Sequence, residues 1–214
     1  LTAKYDTYVQ SHCSESDWEH GYVQDRFQKN DAFALHDFGL LRDKSVMAHC
    51  NFLNDDDADL FAETGTAVSH CPISNAYFAN SVIPIAHLHS KGIDIGLGSD
   101  ISGGFSPSLY DNAKQAVISS RMLEDGVNTR LPAEERGIPH SRITINKAFY
   151  FATAGGGESL SLPIGRLAEN FAWDVQIIDT TTATAKLPIF DEQEDLEDVF
   201  QKIMYLVRPE NICE

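Results

Sequence analysis

His12, His49, His70 and Asp100 each close a short run of β-forming residues. Imidazole and carboxylate groups at successive strand ends suit metal binding or proton transfer, because parallel α/β architectures bind ligands at that edge. One such residue alone reads as structural; four in succession read as a site. Neutral imidazole and carboxylate are standard zinc ligands, and a catalytic site keeps one position for water. The metal lowers the pKa of that water to ~7, which makes a nucleophile at neutral pH. Glu15 lies three residues after His12, just past the run, where it can carry protons between the water and a substrate nitrogen. Its alternative reading is a helix N-terminal carboxylate beside Ser14 and Ser16.

The elements that would position these groups alternate between β-type and helical patterns. Residues 7–12, 45–49, 66–70 and 93–98 read as strands. Helical stretches follow at 16–29, at 54–63 behind an Asn-Asp-Asp-Asp cap, and at 82–91 before Gly92. A long amphipathic helix is predicted over 108–123, with Leu109, Ala113, Ala116, Val117 and Ser120 on one stripe. Residues 125–140 read as a polar loop and 143–152 as a helix. Gly155 to Gly157 reads as a helix break, with a short helical turn resuming over 158–162. A lone strand is predicted at 171–178 and an acidic amphipathic helix at 194–207. Four βα units followed by a helical tail make an α/β fold about half the size of a closed (β/α)8 barrel, which needs ~250 residues.

Other polar patterns carry less. His87 and His89 form a His-x-His pair, but positions i and i+2 of a helix face different ways. Gly96, Gly98, Gly103 and Gly104 fit neither GxGxxG nor a P-loop; the latter two suit a close backbone approach to a ligand. Cys13, Cys50, Cys71 and Cys213 form no CxxC pair and read as reduced thiols of a cytosolic protein.

The chain has 214 residues, 43% of them apolar, so it can bury a core. With 16 Lys and Arg against 32 Asp and Glu, the net charge of −16 argues against duplex nucleic acid or an anionic membrane surface as partner. No apolar run approaches the ~18 residues of a membrane span. The start, LTAKYDTYVQ, reads like the middle of a domain rather than a signal peptide, so both ends are expected to be cut from a longer chain.

Four segments occur in order: Gln10 to Glu15 (QSHCSE), Met47 to Cys50 (MAHC), Ser69 to Asn75 (SHCPISN) and Gly96 to Ser108 (GLGSDISGGFSPS). Together with Arg121 to Gly126 (RMLEDG), the set resembles the metal-dependent amidohydrolase superfamily and, within it, the guanine deaminase family. The resemblance implies a TIM-like barrel, with residues 1–164 as its C-terminal half and 165–214 returning to a small β domain. It implies that His12 and Asp100 bind zinc, with iron the alternative metal. Glu15, His49 and Asp100 would be catalytic: Glu15 as proton shuttle, His49 orienting the water, Asp100 taking its proton. His12, Glu15, His70 and Asp100 would contact a purine, guanine, which loses ammonia to give xanthine. The family's own His-x-His ligand pair and its upstream base-reading Arg and Gln have no match before His12. The segment is therefore expected to be inactive alone, and to form a homodimer or bind the missing N-terminal half. A related aminopurine deaminase, a chlorohydrolase and a non-catalytic half-barrel are the alternatives. No nucleic acid or membrane partner is expected, and the location is expected to be cytoplasmic.

Overall fold

A computed structural model describes residues 2–190 and 195–213. After a short helix α1 (Thr2–Tyr5), the chain lays down β1 (Val9–Cys13), α2 (Asp17–Phe27), α3 (Asp31–Asp37), β2 (Ser45–His49) and α4 (Asp55–Thr64). It continues with β3 (Ala67–His70), α5 (Pro72–Tyr77), α6 (Ile85–Ser90), β4 (Ile95–Leu97) and α7 (Leu109–Asp125). α8 (Ile145–Ala152), α9 (Ala154–Ser159) and α10 (Leu196–Leu206) complete the helices among the described residues.

The strands form one parallel sheet in the order β1-β2-β3-β4. Parallel neighbours need a crossover, and helices supply it each time. Their boundaries are chemically marked. Ser16 caps α2 by accepting the Glu19 N–H, and Asn54 and Asp57 form a reciprocal capping box on α4. Gly65, at φ +70°, ends α4 in the left-handed conformation that glycine adopts without strain. Met47, Phe61, Val68, Ile85, Leu88, Ile95 and Phe151 fill the core between sheet and helices. Each stabilises the fold by about 1.5–3 kcal/mol through burial. α7 buries a stripe that includes Ala113, Ala116 and Val117.

Three expectations change. The strands at 7–12, 66–70 and 93–98 are each shifted or shortened, and α3 and α5 occupy stretches without a predicted element. Gly155, Gly156 and Gly157 lie inside α9 rather than breaking a helix; the break is at Thr153, with φ −126° and ψ −96°. The triplet serves close packing: a Cβ on Gly155 would lie 2.5 Å from the Ile95 carbonyl oxygen, and one on Gly157 would overlap the Ile164 carbonyl. The strand expected at 171–178 is extended chain whose one β contact among the described residues is the antiparallel bridge between Ile178 and Ile212. Its apolar residues find no sheet among the described residues: Trp173 is 77% and Ile177 55% exposed. The acidic helix runs from Leu196, buries Met204 and packs Phe200 on the core. Its predicted start, Glu194, lies outside the described residues.

Candidate active site

The C-terminal ends of the strands bring His12, Glu15, His49, His70 and Asp100 to one edge of the sheet. His12 is the fourth residue of β1 and pairs in register with Ala48, not with His49, which pairs with Cys13. On a regular pleat, adjacent rows point to opposite faces. His49 escapes this because its φ is +71°, and its ring stacks on that of His12 at 5.1 Å and 15°. Ser14, Cys50 and Asp100 also have positive φ, at 48°, 56° and 48°. Non-glycine residues in this region cost about 1–3 kcal/mol each and persist only where surroundings enforce them.

His49 is fully buried, and its Nδ1 lies 2.9 Å from Asn75 Oδ1. With the amide oxygen as acceptor, Nδ1 carries the proton and Nε2 keeps its lone pair. Nε2 has no hydrogen-bond partner, although it sits 3.6 Å from Glu15 Oε1 and 4.0 Å from Asp100 Oδ2. Ligand atoms of His12, His49 and Asp100 all lie within 4.8 Å of one another. His70 Nδ1, Ser74 Oγ and Asn75 Nδ2 are further buried polar atoms without partners on the neighbouring β3 and α5. Such orphans are rare in folded proteins and mark a place for a ligand, water or ion. Two imidazoles and a carboxylate make a donor set that fits zinc, so the residues present fit the metal.

Glu15 is held by its main chain. Its N–H donates to Glu19 Oε2 at 2.6 Å and its carbonyl accepts from Asn51 Nδ2 at 2.8 Å. One residue earlier, the Ser14 N–H donates to Asp31 Oδ2 at 2.7 Å. Burial pushes the Asp31 carboxyl above its ordinary pKa. Gly103 brings the β4 loop against the Asp100 carboxylate: a Cβ there would lie 2.5 Å from Oδ2. Burial lowers the His70 pKa to about 3, with the nearby His49 imidazole acting in the same direction, so the His70 imidazole stays neutral. His70 is outside the compact trio but faces the same edge.

Asn75, Asn51 and Asp31 were not assigned roles from the sequence. Asn75 ends the SHCPISN segment that starts at Ser69. The available signal was an amide in the first helical turn after a strand-end histidine. The set-aside histidines are engaged elsewhere: His87 Nε2 is 2.6 Å from Asp55 Oδ1, and His89 Nε2 is 2.6 Å from Lys147 Nζ. The Cys13 thiol is raised by its hydrogen bond with Cys50 and by burial, and burial pushes Cys71 up to about 11. Thiols held in that range are poor nucleophiles at neutral pH.

The family model described as the amidohydrolase family matches residues 1–203. A guanine deaminase of Dictyostelium discoideum is 32% identical over 99% of this chain and 46% of its own length. A 5'-deoxyadenosine deaminase of Methanocaldococcus jannaschii is 30% identical over 84% of this chain and 40% of its own. The crystal structure of a guanine deaminase from C. acetobutylicum with bound guanine superposes with a TM-score of 0.82 at 26% identity, over 100% of this chain and 48% of that one. The chain thus spans about half the length of the curated relatives it matches. Its four parallel βα units carry their polar strand ends to one edge, and the family match covers nearly all of it; the chain belongs to the amidohydrolase family.

Proposed function

We propose that the protein carrying this chain hydrolyses guanine to xanthine and ammonia. The observation that carries this is the convergence of His12, His49 and Asp100 within 4.8 Å, with Glu15 3.6 Å from His49. The guanine held by the C. acetobutylicum relative supports the substrate. His12 and Asp100 would hold the metal, with His49 beside them. Zinc bound there supplies Lewis acidity, which brings a water's pKa to ~7. Asp100 accepts a proton from the attacking water, while His49 Nε2, its lone pair unclaimed, orients that water. Glu15, fixed at both backbone groups, delivers a proton to the purine ring. The carbon bearing the amino group gains an oxygen, its C–N bond breaks, and nitrogen leaves as ammonia. His70, kept neutral, lines the pocket.

We further propose that residues 1–164 are one half of a barrel and 165–214 part of a small β domain. Two observations support this: the βα units end before that boundary, and one β bridge follows it. The outer edge of β1, unpaired among the described residues, supports association with a second copy or with a further half-barrel. We expect the 214-residue chain alone to deaminate negligibly.

The test is ammonia release and xanthine formation by the full-length protein, with zinc content measured on the same sample. Metal-loaded protein that leaves guanine intact would sink the assignment. Turnover of an adenine nucleoside instead would favour the second reading, a different aminopurine deaminase, which the M. jannaschii relative supports.

A further inference from the structure

Large exposed aromatic side chains follow closely after the same strand ends. Trp18, 76% exposed, stands in the first turn of α2; Phe78, 62% exposed, follows α5. These two line a cavity of about 590 Å³ together with His12, Glu15, Ser16 and Glu19. Tyr77 and Phe105 are equally exposed but pack edge-on against each other at 5.8 Å and do not line that cavity. Trp18 is also fixed from one side, its ring stacked on Tyr22 at 5.6 Å and 15°. A large aromatic ring left in water beside a proton-carrying carboxylate forgoes the burial that would stabilise it in a core. A planar heteroaromatic ring entering the cavity would recover that burial.

We propose that Trp18 and Phe78 form an aromatic clamp that selects planar heteroaromatic rings and holds them over Glu15 and His12. The proposal rests on the deaminase reading and names the residues that set its substrate class. The clamp recognises flatness and π-surface rather than a pattern of hydrogen-bond donors, so it admits purines and rejects saturated ring amides. Base–aromatic stacking is strong enough to show in binding but is tolerant of which base is stacked.

The test uses the full-length protein. For guanine, Trp18→Ala and Phe78→Ala should each raise KM about tenfold or more while kcat stays within about threefold, and Trp18→Phe should restore most of the loss. Tyr77→Ala and Phe105→Ala should stay within about twofold of the parent in both constants. KM values for Trp18→Ala and Phe78→Ala that match the parent would overturn the clamp while leaving deamination intact. Emission gives an independent readout, taken as the part of the full-length protein's signal that Trp18→Phe removes. Guanine and adenine should quench that Trp18 part saturably, dihydrouracil should not, and Phe78→Ala should weaken the quench. If the parent fails to turn over guanine, the deaminase reading falls. The clamp is then judged by emission alone: saturable quenching by either purine supports it, and none overturns it.

Discussion

The strand-end edge and the stretch over residues 161–178 are built on opposite terms. At the edge, polar groups are buried and tied to one another: Asn75 to His49, Asn51 and Glu19 to the Glu15 backbone, Asp31 to Ser14. Unfavourable backbone angles are tolerated there because those ties enforce them. Over residues 161–178, apolar groups face water, as at Leu167, Trp173 and Ile177, and the chain is irregular apart from one β bridge. One region holds strain in order to place polar atoms. The other leaves surface that a folded chain ordinarily covers.

The contrast can be broken at several points. The largest effect is expected from Glu15→Gln, which should lower kcat for guanine by about 10²–10⁴-fold in the full-length protein while its circular dichroism is unchanged. Activity within a few-fold of the parent would mean that the edge does not carry the proton transfer.

Stability should divide the same way. Phe61→Ala, in the core behind the edge, should cost about 3–5 kcal/mol in urea unfolding. Trp173→Ala should fall within about 0.5 kcal/mol. Similar losses at both positions would mean that the two regions are equally packed.

Asn75→Ala removes the partner of His49 Nδ1 without touching a candidate ligand. It should weaken zinc affinity or activity by about 10–100-fold, read by metal content after dialysis against a chelator. Unchanged zinc retention would show that His49 needs no such anchor.

Acid should act on the edge first. The folded pKa of His70 is about 3, below the ordinary histidine value of 6.5, so the unfolded chain binds its proton more readily. Its contribution to stability is therefore full above pH 6.5 and is lost progressively as pH falls towards 3. His70→Gln should flatten the urea midpoint against pH across that window; an identical slope would refute the assignment.

The smallest effect is a count of reactive thiols. Cys13, Cys50 and Cys71 are buried, whereas Cys213 is exposed. Of these four, Cys213 alone should react with a thiol reagent under native conditions, and all four should react in denaturant. Two or more fast thiols would show that the edge opens.

What the sequence made legible follows the same division. β2 lies where its run of β-formers predicted, and Ser16, Asn54 and Ser108 begin helices because capping is a short-range interaction. The positions of His12, His49 and His70 at strand ends, and of Asp100 three residues past β4, were readable from runs of β-formers, which are also a local signal. The orientation of His49 was not, because a positive φ at a β-branched-free, non-glycine site leaves no mark in residue type. The glycine triplet misled because local propensity says "break", whereas the tertiary fact is a helix pressed against Ile95. Residues 171–178 carry a strand's composition, yet a strand also needs a neighbour to bond with.

The offset between His12 and His49 has a consequence for anyone who would transplant this arrangement into another sheet. Copying the two side chains, at their one-residue offset, onto regular strands would send one imidazole to each face, and the donors would never meet. The graft must carry a torsion as well as a residue: the loop that turns His49 over, and the Asn75 amide that holds it there.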